Sequence, residues 1–143
     1  MSSCTPKPEE ISYGSDNCQF CKMTIVDQQH GAELVTSKGK VFKFDAIECL
    51  LNFKKENADS DFAFQLVNVY ESPKELINAE SCHFLISPSI PSPMGAFLTA
   101  FKNESTAKEI RSSNAGELFS WQDLQQYYES GSLGTYSTEK IEE

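Results

Sequence analysis

The chain has 143 residues, with 21 acidic against 12 basic side chains and a formal net charge of −9. That balance argues against nucleic acid as a partner, because phosphate binding needs clustered Lys and Arg. Hydrophobic residues make up 39% of the sequence, enough for one packed core, and no apolar run approaches the roughly 20 residues needed to cross a bilayer.

Residues 1–16 read as a flexible N-terminal tether, rich in Pro, Ser, Gly and charge and without periodicity. Within it, Ser2-Ser3-Cys4-Thr5-Pro6 resembles the cleavage point of a bacterial lipoprotein. Two readings follow. Either a leader has been removed and Cys4 is the lipid-attachment residue, or Cys4 is an incidental tail thiol in a cytosolic protein. The first is the expectation.

Beyond the tether, Lys22 to Val26 is strand-like, with three β-branched residues. Ala32–Thr36 and Lys40–Phe44 read as strands joined by a turn at Ser37-Lys38-Gly39. Asp45 then caps a helix, with Glu48 three residues on as a capping-box partner. Ala46, Ile47, Leu50 and Leu51 continue it at helical spacing to about Lys55. Phe62 to Tyr70 and Cys82 to Ile86 are strands, with a short turn or helix near Glu75 between them. Pro88, Pro91 and Pro93 mark a loop, Ala96 to Phe101 a strand, and Ser105 to Arg111 a short helix. From Ser130 to Glu143 the chain reads as a flexible C-terminal tail.

A weak internal repeat organises this pattern. Gly39-Lys-Val-Phe-Lys-Phe44 and the helix after it match Gly116-Glu-Leu-Phe-Ser-Trp121 and the helix from Gln122 to Tyr128. Ile47 and Leu51 align with Leu124 and Tyr128. The expected fold is α+β, with two small related ββα-type modules of mostly antiparallel strands. They occupy about residues 17–60 and 82–129 of one domain spanning 17–129.

The chemistry is concentrated in Cys18-Gln-Phe-Cys21-Lys-Met23, which sets two thiols and a thioether within six residues. Soft sulfur ligands favour Cu(I), Zn or iron–sulfur centres, and the thioether points to Cu(I). Three rivals remain open. Structural zinc needs four ligands, and no second Cys-x-x-Cys or His-x-x-x-His is present. A thiol–disulfide oxidoreductase would place the motif at the start of a helix, whereas a strand-like run follows here. A disulfide in an oxidising compartment is the third.

Met94 lies between Pro93 and Gly95, on a loop from which a thioether can reach the Cys pair. Cys49 sits beside a helical apolar stripe and reads as core. Cys82 and His83 begin a strand, so at most one faces any given site. His30 reads as a surface turn residue. No Ser-His-Asp pattern, phosphate loop or catalytic carboxylate pair is visible, so binding without turnover is expected.

Together these residues resemble the NosL family, the copper-binding accessory lipoproteins of nitrous oxide reductase maturation. The likeness runs through Cys18-Gln-Phe-Cys21-Lys-Met23-Thr-Ile-Val-Asp27 and Gly39-Lys-Val-Phe-Lys-Phe44-Asp45-Ala-Ile-Glu-Cys49-Leu. It continues through Pro93-Met94-Gly95-Ala-Phe-Leu-Thr-Ala-Phe101 to the closing strand and helix around Trp121. The resemblance implies a Cu(I) metallochaperone outside the cytoplasmic membrane, in the periplasm or an equivalent compartment, held by a lipid on Cys4. It implies delivery to a copper enzyme, nitrous oxide reductase or another, through a membrane-associated assembly complex. By position, Cys18, Cys21, Met23 and Met94 are the sulfur ligands it implies. The alternatives are a thiol oxidoreductase using Cys18 and Cys21, and a zinc-stabilised interaction module.

Overall fold

The computed structural model describes residues 6–57, 59–88, 90, 97–114 and 116–129. Its first sheet combines β1 (Ala32–Thr36), β2 (Val41–Phe44), β3 (Phe62–Val69) and β4 (Ser72–Asn78) in the order β2-β1-β3-β4. The second combines β5 (His83–Ile86), β6 (Leu98–Phe101) and β7 (Glu117–Phe119) in the order β6-β5-β7. Every pairing is antiparallel. Helix α1 (Ile47–Glu56) follows β2, α2 (Glu104–Asn114) follows β6, and α3 (Trp121–Glu129) follows β7. The fold is α+β with two antiparallel sheets, as the sequence pattern predicts.

Gly39 and Gly116 both take positive φ, +96° and +128°, immediately before β2 and β7. At Gly116 a Cβ would also lie 2.5 Å from the Ile86 carbonyl oxygen, so no other residue fits there. The aligned helix positions Ile47, Leu51, Leu124 and Tyr128 are all buried. They bring α1 against α3, where the Tyr128 hydroxyl donates to the Glu48 carbonyl at 3.2 Å. The main apolar core draws on both sheets, with Leu34, Phe44, Val67, Phe84, Ile86 and Leu98 in one cluster.

Two polar residues fasten the sheets. Asn68 accepts from the Gly31 amide at 3.0 Å and the Tyr13 hydroxyl at 2.9 Å. Its Nδ2 donates to the Glu75 carbonyl at 3.0 Å. His30 bridges the segment before β1 to β6, with Nδ1 3.0 Å from Asp27 Oδ1 and Nε2 3.0 Å from Thr99 Oγ1.

Several local expectations are corrected. His30 lies in a turn but is buried, because its ring has a polar partner on each side. The tether expectation fails over its second half. Ile11 is buried in the core, the Glu9 amide donates to Glu33, and Asp16 pairs with Lys43 at 3.1 Å. The segment around Glu75 is strand β4, since β3 offers it an antiparallel edge. Lys22–Val26 forms only one bridge, Thr24 with Asn17, because Lys22 at φ +71° turns the chain out of an extended path. Asp45 is not the helix cap; Ala46 occupies that position without a side-chain capping bond. The Asp45 carboxylate instead accepts the Val26 amide, which ties the loop before β1 to the start of α1.

Glu33 is the most demanding buried group. It is fully enclosed on β1, opposite Lys43, with Oε1 accepting from the Glu9 amide at 3.1 Å. Its Oε2 has no hydrogen-bond partner among the described residues. Burial pushes its carboxyl from the ordinary 4.5 up to about 7, partly offset by the Glu9 amide and the nearby Lys43 charge.

Two outcomes are expected. An acid with a raised folded pKa stabilises fully below its unfolded value and loses that contribution as pH rises through the folded one. Denaturant unfolding should therefore show stability falling by about 3 kcal/mol between pH 4.5 and pH 8, and Glu33→Gln should flatten that slope. His30→Leu strands Asp27 and Thr99 and should cost roughly 2–4 kcal/mol in the same assay, with Thr99→Val costing less.

Candidate metal centre

The Cys18–Cys21 segment forms the tip of a narrow loop. Its base is closed by the Asn17–Thr24 bridge and by the Cys18 amide donating to the Met23 carbonyl at 2.7 Å. The Lys22 amide returns to the Cys18 carbonyl at 3.0 Å, and the left-handed Lys22 lets the chain reverse. The Gln19 amide donates to Lys43 O at 2.8 Å, which stitches the loop onto the end of β2. The loop thus sits beside the N-terminal end of α1.

That placement brings a third sulfur into range. Cys49 lies in the first turn of α1, and the ligand atoms of Cys18, Cys21 and Cys49 all lie within 4.8 Å of one another. All three cysteines are free thiols. Among the described residues no His or carboxylate joins this group. Cys82 does not join it either: its Sγ is 3.5 Å from the Asn78 carbonyl, and burial pushes its thiol up to about 12. His83 lies on β5 opposite Phe101 and is outside the group.

The three thiols have different electrostatic surroundings. Cys18 is held well below the ordinary thiol range, first by a hydrogen bond from the Cys49 thiol and then by the amides of Asp45, Cys21 and Phe20, against the penalty of burial. The Cys21 amide lies 3.4 Å from Cys18 Sγ. The positive end of the α1 dipole favours the same anion. Cys21 is raised, mainly by burial. Cys49 is raised strongly, because its proton serves the Cys18 sulfur and because it is buried. Burial, followed by the adjacent Cys18 charge, pushes Asp45 up to about 6.

Access is one-sided. Cys18 and Cys49 are each only 1% exposed, whereas Cys21 is half-buried. Met23 and Val26, exposed by 57% and 62%, are the large apolar side chains most open to solvent among the described residues. They stand on the loop that carries Cys21. Met94 and Cys4 lie outside the described residues.

The sequence reading placed Cys49 in the core and missed its approach to the Cys pair. The available signal was indirect, since Cys49 closes the second block of residues that carries the family resemblance. Asp45 was likewise read as a cap, yet it supplies a backbone amide to Cys18 and a carboxylate to the loop amide of Val26.

Fold and site together define a small α+β protein with a preformed cluster of soft ligands at a loop tip. The NosL family model matches residues 10–128, and the chain belongs to that family. It is 27% identical, over 122 residues, to the copper-binding lipoprotein NosL of Stutzerimonas stutzeri. That alignment covers 80% of this chain, which spans 64% of the relative's length. The fold is similar to the crystal structure of the copper chaperone NosL from Shewanella denitrificans, with a TM-score of 0.71 and 20% identity. That match covers 82% of this chain and 94% of the other. Among the described residues no helix is long and apolar enough to cross a membrane.

The hydrogen-bonding pattern sets a testable thiol order. Thiolate absorbance in the ultraviolet should reveal one cysteine ionising well below the usual range, and Cys18→Ser should remove that step. Cys49→Ala deletes the largest stabilising donor and should move the same step to higher pH.

Proposed function

We propose that this chain binds Cu(I) at the Cys18–Cys21 loop and passes it to a copper enzyme, without turnover of its own. The convergence of three thiols from the loop and the first turn of α1, with no His or carboxylate joining the group among the described residues, is the observation that carries the reading. A structural zinc site needs four closed ligands, and the described residues do not supply a fourth. Cu(I) accepts low coordination by soft donors. A redox Cys-x-x-Cys would head a helix, whereas this one is in a turn and its thiols are gathered by a helix that starts 26 residues after Cys21, at Ile47.

The donors that hold the Cys18 thiol below the ordinary range make it the sulfur best suited to receive a cation. Cys21 lies toward solvent, and the Met23 thioether beyond it is the donor that meets an incoming or departing ion. Met94 is carried as a second thioether by the family resemblance. Nitrous oxide reductase, or the membrane complex that assembles it, is the recipient that the resemblance favours. A lipid on Cys4 would hold the protein at the outer face of the cytoplasmic membrane, where such a complex is reached. The copper-binding and lipoprotein names of the relatives support both parts of this reading.

Anaerobic titration of the reduced protein against a Cu(I) chelator tests it. One Cu(I) per chain should bind, and Cys18→Ser with Cys21→Ser together should weaken binding by more than about 100-fold, beyond the usual cost of disturbing an outer-shell partner. Met23→Leu should keep the stoichiometry and slow transfer to the chelator. A chain that instead requires zinc to fold would sink the copper assignment.

A further inference from the structure

We infer that Cys49 is a third thiolate ligand to the carried ion, and that it remains bound while Cys21 departs. The inference rests on the copper reading above and adds to it a coordination number and an order of release.

The geometry comes first. Three sulfurs around one ion, each at the roughly 2.3 Å typical of metal–thiolate bonds, stand about 4 Å apart. Cys18, Cys21 and Cys49 already lie within 4.8 Å of one another, so only small rotations separate the trio from a trigonal site. Cys49 belongs to the buried core cluster, and its Sγ also lies within 4.8 Å of the Cys18 and Cys21 sulfurs, which packing alone does not require. It is also held on a helix whose first turn is fixed by the Cys49 amide donating to the Ala46 carbonyl at 3.1 Å. The ligand therefore projects from a rigid element, while Cys21 projects from a loop.

The order of release follows from burial. Cys18 and Cys49 are closed off from beneath, at 1% exposure each. Cys21 is half-buried and the most open of the three, so an incoming donor meets its sulfur first. In that exchange the Cu–S bond to Cys21 breaks as a bond to the recipient's sulfur or imidazole forms. Copper stays at +1, no electrons move, and the freed Cys21 thiolate takes a proton from solvent. Cys49 thus governs retention and Cys21 governs departure.

The test uses the full reduced chain loaded with one Cu(I) under anaerobic conditions. X-ray absorption should count three sulfur neighbours in the wild type and two in Cys49→Ala. Chelator competition should show at least about tenfold weaker binding for Cys49→Ala, the lower end of what losing even an outer-shell partner costs. Circular dichroism and the unfolding midpoint check that the variant folds. Where Cys49→Ala does not, Cys49→Ser and the wild-type sulfur count decide. A wild type that binds Cu(I) through two sulfurs, with Cys49→Ala equally tight, overturns this inference and leaves the copper reading standing. A wild type that binds no Cu(I) overturns both.

Discussion

A buried sulfur held well below the ordinary thiol range needs hydrogen-bond donors around it, and the neighbourhood of Cys18, 1% exposed, supplies them. The amides of Phe20 and Cys21 come from the turn itself, the amide of Asp45 from the start of α1, and the S–H from Cys49. Each donor fixes a piece of backbone. The turn requires the left-handed Lys22; the Asp45 amide requires β2 to end where it does; Cys49 requires the helix to begin at Ile47. The Cys18–Cys21 loop and the β2–α1 junction are therefore one unit, and neither is positioned without the other.

The rest of the fold holds that unit in place. Asp45 accepts the Val26 amide and Asp27 meets His30, so the chain leaving the loop that bears Cys21 and Met23 is gripped at two successive residues. His30 then reaches Thr99 on β6 and carries the restraint into the second sheet. Glu33 and Lys43 form a neighbouring polar knot that secures the segment from Glu9 to Asp16 over β1 and β2. The loop tip is left partly exposed while its base is fixed, which suits the proposed handover of an ion.

Much of the architecture was legible before any coordinates. The β1–β2 hairpin, the helix after it and the later strand–helix unit followed from alternation, helical spacing and the two glycines of the repeat. Cys18, Cys21 and Met23 stood out because their spacing is local. The misreadings share a cause. Glu75, Asp45 and His30 were each judged from nearest neighbours in sequence, and each was decided by a partner far along the chain. For Glu75 that partner was strand β3, for Asp45 the Val26 amide and the Cys18 anion, and for His30 the Thr99 hydroxyl.

By itself the sequence determined the kind of side chain, soft sulfur at close spacing, and the β1–β2 hairpin and helix that follow it. Those features depend on residue type and short-range periodicity, which local sequence contains. Only the tertiary structure decided that Cys49 stands beside the pair, which thiol is surrounded by donors, and which one is most open to solvent. Those depend on through-space distances between the 18–21 loop and the first turn of α1, and on the water excluded between them. No spacing along the chain encodes either.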